Sequence, residues 1–381
     1  MMSASERAWP RTASQEAWRR FDGLGRAASL ALFAEIPVIV LAFVAWSALG
    51  RHFVALADFS IFRDAGRDIL EGRSPYVAPV PEQLIGDDKF VYPPLVGFLF
   101  IPFALISLGA GRAVFTLLFL VSVPLTLRLL GVRDWRCYGL AFLLAPVLTV
   151  FGAGAIGSLL ALGVAAAWRH RSKTLVAALV IALVVVAKLF LWPLLVWLLA
   201  TRRYRALVAT VAIGACLLLG SWAAIGFSGL REYPQLLTTV ADVSEWRSYS
   251  LGALGLAVGV PTTAVHVAGA MLALLVVPLL VALGHRPDGD RRAFCACIGS
   301  ALLISPIVWL HYLVLLVVPI AVARPRLAPL WLVPLVLWST PGVRSDGDPW
   351  RIFVALAVTS LVLAASIGRA GPPLRERWET P

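Results

Sequence analysis

The chain carries three ionisable side chains at the edges of long apolar segments, where groups of these types are able to do chemistry. Asp58 follows the first long apolar run, Lys188 has apolar residues on both sides, and His311 comes shortly after a Ser-Pro break. A carboxylate at the point where a helix leaves the bilayer stays ionised and still reaches a membrane-bound substrate. Asp58 is therefore the first candidate for a catalytic role.

The position of Asp58 suits a general base that takes a proton from an acceptor hydroxyl while the hydroxyl oxygen attacks the anomeric carbon of a sugar. A lipid phosphate is a leaving group that needs no protonating acid, and Lys188 together with His311 would offset its charge. A single displacement of this kind inverts the anomeric centre. The sequence holds no HExxH, GxSxG or Walker motif that would favour hydrolase or ATPase chemistry.

Two of these residues also have an ordinary structural interpretation. Lys188 either snorkels to the interface or pairs with an anion such as a phosphate diester, which a compact ammonium binds as a point charge. His311 is either a hydrogen-bonded structural residue or part of the site. Both alternatives remain open at the level of sequence.

Composition places the chain among polytopic integral membrane proteins. Of its 381 residues, 60% are hydrophobic and only 14% are charged, against about 25% charged in a soluble domain. The net charge of +12 comes from small basic clusters between apolar runs, a topology signal that does not favour nucleic-acid binding. The four cysteines show no metal-site pattern, so we expect neither a metal nor a cofactor.

The apolar runs predict an all-α fold with about twelve transmembrane crossings. Residues 1–28 form a basic cytoplasmic tail, 29–367 one transmembrane domain, and 368–381 a second cytoplasmic tail. Within the domain, residues 50–94 form a large first outer loop. Glu35, in the first span, is either an interfacial carboxylate or a buried functional acid.

The run 93–109 is ambiguous, because it is apolar enough to cross the membrane. A crossing there would put Arg128, Arg133 and Arg136 outside, whereas a segment dipping into the outer leaflet keeps them in the cytoplasm. We favour the second arrangement. The next runs, 137–150, 155–168, 174–187 and 189–201, are short, since 14 helical residues cover only about 21 Å of a hydrocarbon core of roughly 30 Å. Their outer ends are expected to form a recessed cavity floor.

A second outer loop, residues 227–250, mixes charged and aromatic side chains. Among them Glu232 and Arg247 are candidates for binding substrate hydroxyls, and the alternative is an ordinary solvated loop with interfacial aromatics. Tyr92, in a Tyr-Pro-Pro corner, and Tyr312, next to His311, are further substrate-binding candidates because the predicted topology brings both to the outer face.

Five short segments in matching order resemble glycosyltransferase family 87. They are Ala57-Asp58-Phe59, Gly72-Arg73-Ser74-Pro75-Tyr76, Phe90-Val91-Tyr92-Pro93-Pro94-Leu95, Ala187-Lys188-Leu189-Phe190-Leu191-Trp192-Pro193 and Ser305-Pro306-Ile307-Val308-Trp309-Leu310-His311-Tyr312. Members of this family are GT-C-fold integral membrane enzymes that include polyprenol-phosphate-mannose-dependent mannosyltransferases of actinobacteria. The chain departs from the family between residues 154 and 158, where members often carry Gly-Gln with a following Asn.

The resemblance implies a polyprenyl-phosphate-sugar donor, a glycolipid or lipoglycan acceptor, inversion, and an active site on the outer face of the cell membrane. Asp58 and His311 are then catalytic, Lys188 binds the donor phosphate, and Tyr76 joins the substrate-binding candidates. The sequence leaves two other functions open. One is a transporter or flippase of lipid-linked saccharides, which would need polar groups along a path through the bilayer. The other is a non-catalytic membrane scaffold.

Overall fold

The structure is a computed structural model that describes residues 25–49, 56–84, 89–340 and 342–368. Every regular element within these ranges is helical, which confirms the predicted all-α class. Both predicted tails lie outside the described residues, apart from the first residues of helix α1 and Gly368.

The α-helices fall into two halves of the chain, separated near residue 200. The first half holds α1 (Arg26–Leu30), α2 (Ile36–Leu49), α3 (Ala57–Leu70), α4 (Pro81–Leu84), α5 (Pro94–Ala104), α6 (Leu108–Leu129), α7 (Trp135–Phe142), α8 (Ala145–Ala153), α9 (Gly157–Arg169), α10 (Thr174–Ala187) and α11 (Pro193–Ala200). The second half holds α12 (Tyr204–Ala224), α13 (Tyr233–Ser244), α14 (Leu251–Ala257), α15 (Thr262–Gly284), α16 (Gly289–Ile304), α17 (Val317–Ala323) and α18 (Pro349–Ile367).

Shorter helical turns connect some of these helices. A π-helical segment, Ala31–Glu35, joins α1 to α2 and contains Glu35. The 3₁₀ segments are Leu189–Leu191, Glu245–Arg247, Leu310–Leu316, Pro329–Trp331 and Val333–Ser339.

Four of the described helices, α6, α12, α15 and α18, are long and apolar enough to cross a membrane. The pair α7 and α8, bent by 55° at its break, would make a fifth span. Large apolar side chains such as Leu117, Val208 and Leu274 are exposed on these helices, as expected of surfaces that face lipid. The chain is therefore a membrane protein, while the number of twelve crossings stays a prediction.

The helices predicted to be short are short. Helix α9 has 13 residues and α10 has 14, so each covers about 20 Å at 1.5 Å per residue, less than the hydrocarbon core. Helix α5 has 11 residues, a length that agrees with a segment dipping into one leaflet better than with a crossing. Its placement relative to the membrane stays a prediction.

The predicted first outer loop contains an amphipathic helix. Helix α3 begins one residue before Asp58 and packs along α5. A Cβ atom on Gly66 would lie 2.9 Å from the backbone of Phe100, so the two helices approach as closely as a glycine allows. Residues 50–55 and 85–88 of this loop lie outside the described residues.

Candidate functional site

A cavity of about 460 Å³ lies where α3, the start of α5, the end of α10 and the 305–312 segment meet. Its lining includes five of the residues that the sequence singles out, namely Asp58, Tyr92, Lys188, His311 and Tyr312. They come from four segments of the chain that are far apart in sequence. The structure therefore brings together the three ionisable candidates and two of the tyrosines.

Lys188 occupies a break in the helical path. Helix α10 ends at Ala187, and Lys188 is extended, with φ −147° and ψ 95°, before the 3₁₀ turn that follows. Its ammonium donates a hydrogen bond to the Tyr92 hydroxyl over 2.7 Å. The same nitrogen lies 3.9 Å from the centre of the Tyr92 ring and 4.5 Å from that of Tyr312. A cation is stabilised over aromatic faces in this way, so Lys188 is held by rings and does not snorkel.

The Tyr312 ring is itself fixed by stacking. It lies parallel to the Phe190 ring, with 5.4 Å between centroids and 1° between planes. Phe190 follows Lys188 by two residues, so the turn that carries the lysine also carries the ring that supports Tyr312. Lys188 and Asp58 both line the same cavity.

Asp58 stands in the first turn of α3, and the start of that helix is held by a tight backbone contact. Leu56, which precedes the helix, has a left-handed conformation, with φ 66° and ψ 41°. Its amide donates to the Gly152 carbonyl over 2.8 Å. Gly154, with φ +70°, lies so close that a Cβ there would be 2.7 Å from the Leu56 Cα. A left-handed leucine costs about 1–2 kcal/mol, and the neighbouring turn holds it in place.

The middle of the same helix is tied to the C-terminal end of α5. Arg63 is buried and donates from Nε to the Phe103 carbonyl over 3.0 Å and from Nη2 to the Ile106 carbonyl over 2.9 Å. A basic side chain that caps helical carbonyls is favourable at this position. The Phe62 ring packs edge-on against Tyr92, with 4.9 Å between centroids. Asp58 and Tyr92 are therefore oriented by the same helix pair.

The surroundings of Asp58 favour its neutral form more than water does. Burial raises the pKa of the Asp58 carboxyl to about 6, and the positive charge of Lys188 acts in the opposite direction. Helix α3 is not one of the apolar helices long enough to span a membrane. A carboxylate with a pKa near 6 is ionised at neutral pH and accepts a proton readily, which suits a general base.

His311 is buried, with 3% of its surface exposed, and it lines the same cavity. Pro306 lies between α16 and the 3₁₀ segment Leu310–Leu316. Two backbone hydrogen bonds hold the segment 305–312 against other parts of the chain. The Tyr249 amide donates to the Val308 carbonyl over 2.7 Å, and the Leu310 amide donates to the Val343 carbonyl over 3.0 Å. Neither ring nitrogen of His311 has a hydrogen-bond partner in the described part of the chain. This disagrees with a hydrogen-bonded structural histidine.

The turn from Gly152 to Gly157 packs against two of the segments that form the site. Gly157 begins α9, and a Cβ atom there would lie 3.2 Å from the His311 carbonyl oxygen. Together with the contact between Gly154 and Leu56, this turn touches both the segment with Asp58 and the segment with His311. Its small residues allow those two segments to approach each other.

Three other candidates do not line the cavity in the described structure. Tyr76 donates from its hydroxyl to the Tyr92 carbonyl over 2.8 Å and stacks on Trp222, so it positions Tyr92. Glu232 is exposed where α13 begins. Arg247 lies 3.8 Å from the Asp346 carboxylate and beside the Trp246 ring. No finding tests these three as substrate-binding residues, and the structure does not bring them to the cavity.

Sequence reasoning missed several residues of the cavity wall. Phe62, Lys89, Ser305 and Trp309 all line it. Phe62 lies four residues after Asp58, one helical turn along the same face, which the sequence shows once α3 is recognised as a helix. Ser305 and Trp309 lie in the segment that resembles the family and ends at His311 and Tyr312, so the sequence held a signal for both. Lys89 gives no local signal, because only the path of the chain brings it to the cavity.

The cavity joins a carboxylate, an ammonium and an imidazole to walls of aromatic and aliphatic side chains. A proton acceptor, a held cation and an unpartnered ring nitrogen around one space suit attack by a hydroxyl on a substrate with a phosphate leaving group. No group of three or more His, Cys, Asp or Glu side chains that could hold a metal ion occurs among the residues that the structure describes.

Comparisons with known proteins agree with this chemistry. The profile described as "Glycosyltransferase family 87" matches residues 90–306, which include Tyr92 and Lys188. A curated protein of Mycolicibacterium smegmatis (strain ATCC 700084 / mc(2)155) is 23% identical over 382 aligned positions, covering 90% of this chain and 86% of that protein. It is named polyprenol-phosphate-mannose-dependent alpha-(1-2)-phosphatidylinositol pentamannoside mannosyltransferase. No solved structure gives a significant match to the chain.

The unpartnered imidazole leads to a prediction about stability. A buried polar group without hydrogen-bond partners lowers the free energy of unfolding by about 1–3 kcal/mol. Replacing His311 by leucine removes such a group, so His311→Leu is expected to keep or raise the unfolding temperature. The matched variant is His266→Leu, because His266 hydrogen-bonds over 3.0 Å to the buried carboxylate of Glu245. Leaving that carboxylate unpaired is expected to lower the unfolding temperature.

Both variants are compared with the wild type by thermal unfolding of the purified full-length protein in one detergent. If His311→Leu is destabilised as much as His266→Leu, then His311 has a structural role and its assignment to the site fails.

Proposed function

The chain belongs to glycosyltransferase family 87, and from this premise we propose that it transfers a hexose, with mannose as the first choice, from a polyprenyl-phosphate-sugar to a glycolipid or lipoglycan acceptor. Membership of the family makes the chain a membrane glycosyltransferase. The donor, the acceptor, the inverting mechanism and the outer face are the proposed part. The observation that carries the proposal is that Asp58 and Lys188 line one cavity.

In the proposed reaction, the acceptor hydroxyl gives its proton to the Asp58 carboxylate as its oxygen bonds to the anomeric carbon of the donor sugar. The bond between that carbon and the phosphate oxygen breaks, and the polyprenyl phosphate leaves with the electron pair. Its added negative charge is offset by the Lys188 ammonium and by a hydrogen bond from His311. Because attack and departure occur on opposite sides of the carbon, the anomeric centre is inverted.

The polyprenyl chain needs an apolar path next to the phosphate. Leu237, Val240 and Ala241 of α13 line one side of the cavity, and this side is suited to the first isoprene units of a donor lipid. The relative from Mycolicibacterium smegmatis is named as dependent on polyprenol-phosphate-mannose. This supports the same class of donor, and mannose, for the present chain.

The outer face of the cell membrane is proposed from the distribution of basic residues. Helix α10 has Lys188 at one end and the cluster Arg171, Lys173 and Arg203 at the other. Basic clusters favour the cytoplasmic side, so the cavity is assigned to the outer side.

A flippase remains the alternative function. Such a protein needs polar groups along a path across the bilayer, whereas the ionisable candidates here gather around one cavity at one end of the short helices. This distribution favours transfer over transport.

The proposal predicts that Asp58→Asn loses transfer while the protein still folds. The amide keeps the shape of the carboxylate and removes its basicity, and general-base catalysis contributes roughly 10²–10⁴-fold. Transfer is measured with the purified protein in lipid, radiolabelled polyprenyl-phosphate-mannose and a mixed glycolipid fraction. Asp64→Asn is the matched control, because Asp64 lies on the same helix with an exposed side chain. Near-normal transfer by Asp58→Asn would refute the base assignment.

The pH dependence of transfer is a second prediction. Only the ionised form of Asp58 accepts the proton, and the pKa of this carboxyl in the free protein is raised to about 6 by burial. The apparent kcat/KM is therefore expected to fall about tenfold for each pH unit below pH 6. A profile that is flat between pH 5 and pH 7 in the wild type would contradict this role.

The contacts of Lys188 predict an effect on the donor. Lys188→Gln removes the charge that would face the phosphate, so the KM for the polyprenyl-phosphate-sugar is expected to rise at least tenfold, since a hydrogen bond to a charged group contributes about 1.5–3 kcal/mol. The KM for the acceptor serves as the internal control and is expected to stay within twofold. Equal changes in both constants would point to general damage to the cavity and not to a phosphate contact.

A further inference from the structure

A second cavity, of about 380 Å³, lies at the end of α10 opposite to Lys188. Its lining includes four arginines and a tyrosine, Arg171, Arg202, Arg203, Arg205 and Tyr204. Helix α10 has 14 residues, so this basic pocket lies about 20 Å from the catalytic cavity. It has no part in the proposed glycosyl transfer.

Two of the four arginines are held rigidly. The Asp290 carboxylate accepts a bond from Arg171 Nε over 2.9 Å and from Arg203 Nη1 and Nη2 over 2.6 and 2.9 Å. The Arg171 guanidinium also lies 4.1 Å from the centre of the Trp168 ring, and Arg203 lies 5.2 Å from that of Trp197. These contacts fix the direction of each guanidinium.

The pocket keeps an excess of positive charge. The Asp290 carboxylate pairs with Arg171 and Arg203, whereas the side chains of Arg202 and Arg205 are exposed. Two helices also begin here. Helix α10 follows Lys173 and α12 follows Arg203, and neither of these residues provides a side-chain cap. Cations at a helix N-terminus are unfavourable, whereas an anion there is stabilised by the free amide groups and the helix dipole.

We propose that the basic pocket binds a phosphate group. Arginine forks match the oxygen geometry of phosphate, and an anion in this place relieves the repulsion among the guanidinium groups and occupies the uncapped helix starts.

The surroundings of the pocket favour a phospholipid headgroup as the source of the phosphate. Leu175, the second residue of α10, and Val208, one turn into α12, are highly exposed apolar side chains. Tyr204 at the rim is an aromatic residue of the kind found at headgroup level. An acyl chain would run along the apolar surface below the pocket while the headgroup enters it. A soluble phosphate would use the same arginines without that surface.

The test uses the purified full-length protein in a neutral detergent and three probes. They are short-chain phosphatidylglycerol, short-chain phosphatidylcholine as the zwitterionic comparison, and inorganic phosphate. Binding is measured by thermophoresis for the wild type and for Arg202→Asn combined with Arg205→Gln. Asparagine is chosen at position 202 because φ there is +57°, and asparagine tolerates the left-handed region. Both side chains are exposed, so the fold is expected to be kept.

The matched control is Arg286→Asn combined with Arg326→Gln. Arg286 and Arg326 are exposed, lie outside the pocket lining, and follow the C-terminal ends of α15 and α17. The control removes the same charge from outside the pocket. This control distinguishes specific binding at the pocket from a general attraction of anionic lipid to a basic surface.

The expected result is that phosphatidylglycerol binds the wild type more tightly than phosphatidylcholine, that the pocket variant weakens this binding at least tenfold, and that the control changes it less than twofold. Binding of inorganic phosphate with the same arginine dependence, without binding of phosphatidylglycerol, would keep the phosphate site and overturn the lipid source. Equal losses in both variants, or no binding of any probe, would overturn the site.

Discussion

The arrangement of the catalytic cavity depends on the need to hold the ammonium of Lys188 in apolar surroundings. A lysine between apolar segments is costly unless it finds partners, and here the partners come from distant parts of the chain. Tyr92 accepts its hydrogen bond, and Tyr312 offers a ring face. The break after α10, the corner before α5 and the 3₁₀ segment at His311 are therefore placed relative to one cation. Asp58, which lines the same cavity, completes the balance of charge.

The position of Asp58 depends on backbone contacts more than on side chains. The left-handed Leu56 rests against Gly154, and the buried Arg63 ties the same helix to carbonyls near the end of α5. Between these two points α3 has little freedom to slide. A residue larger than glycine at position 154 would push the start of α3 and move the carboxylate with it. The small residues between 152 and 157 serve the site through packing, although none of them carries a reactive group.

The short helices link the two ends of the molecule. Helices α9 and α10 span less than a hydrocarbon core and carry the catalytic cavity at one end and the basic pocket at the other. A lipid-linked donor needs a polar site that is recessed within the membrane profile, and short helices provide one without a path through the bilayer. The arginines of the basic pocket, at the opposite end of these helices, are suited to contact with anionic lipid headgroups.

Sequence alone determined the all-α membrane class, the short helices between residues 137 and 201 to within a few residues, and the candidacy of Asp58, Lys188 and His311, but it missed helices α3 and α13 within the two predicted outer loops. The reason is that apolar runs and the cost of charge within them are local properties of the chain. Tertiary structure alone decided that the Tyr92 and Tyr312 rings surround the Lys188 ammonium and that Tyr76 supports the site from outside the cavity. It also decided that the His311 nitrogens have no hydrogen-bond partner among the residues that the structure describes. Glu232 and Arg247 look equally suitable in sequence but lie outside the cavity lining. Which polar residues meet depends on how the segments pack, and packing is set by contacts between residues far apart in the chain, such as Leu56 with Gly154.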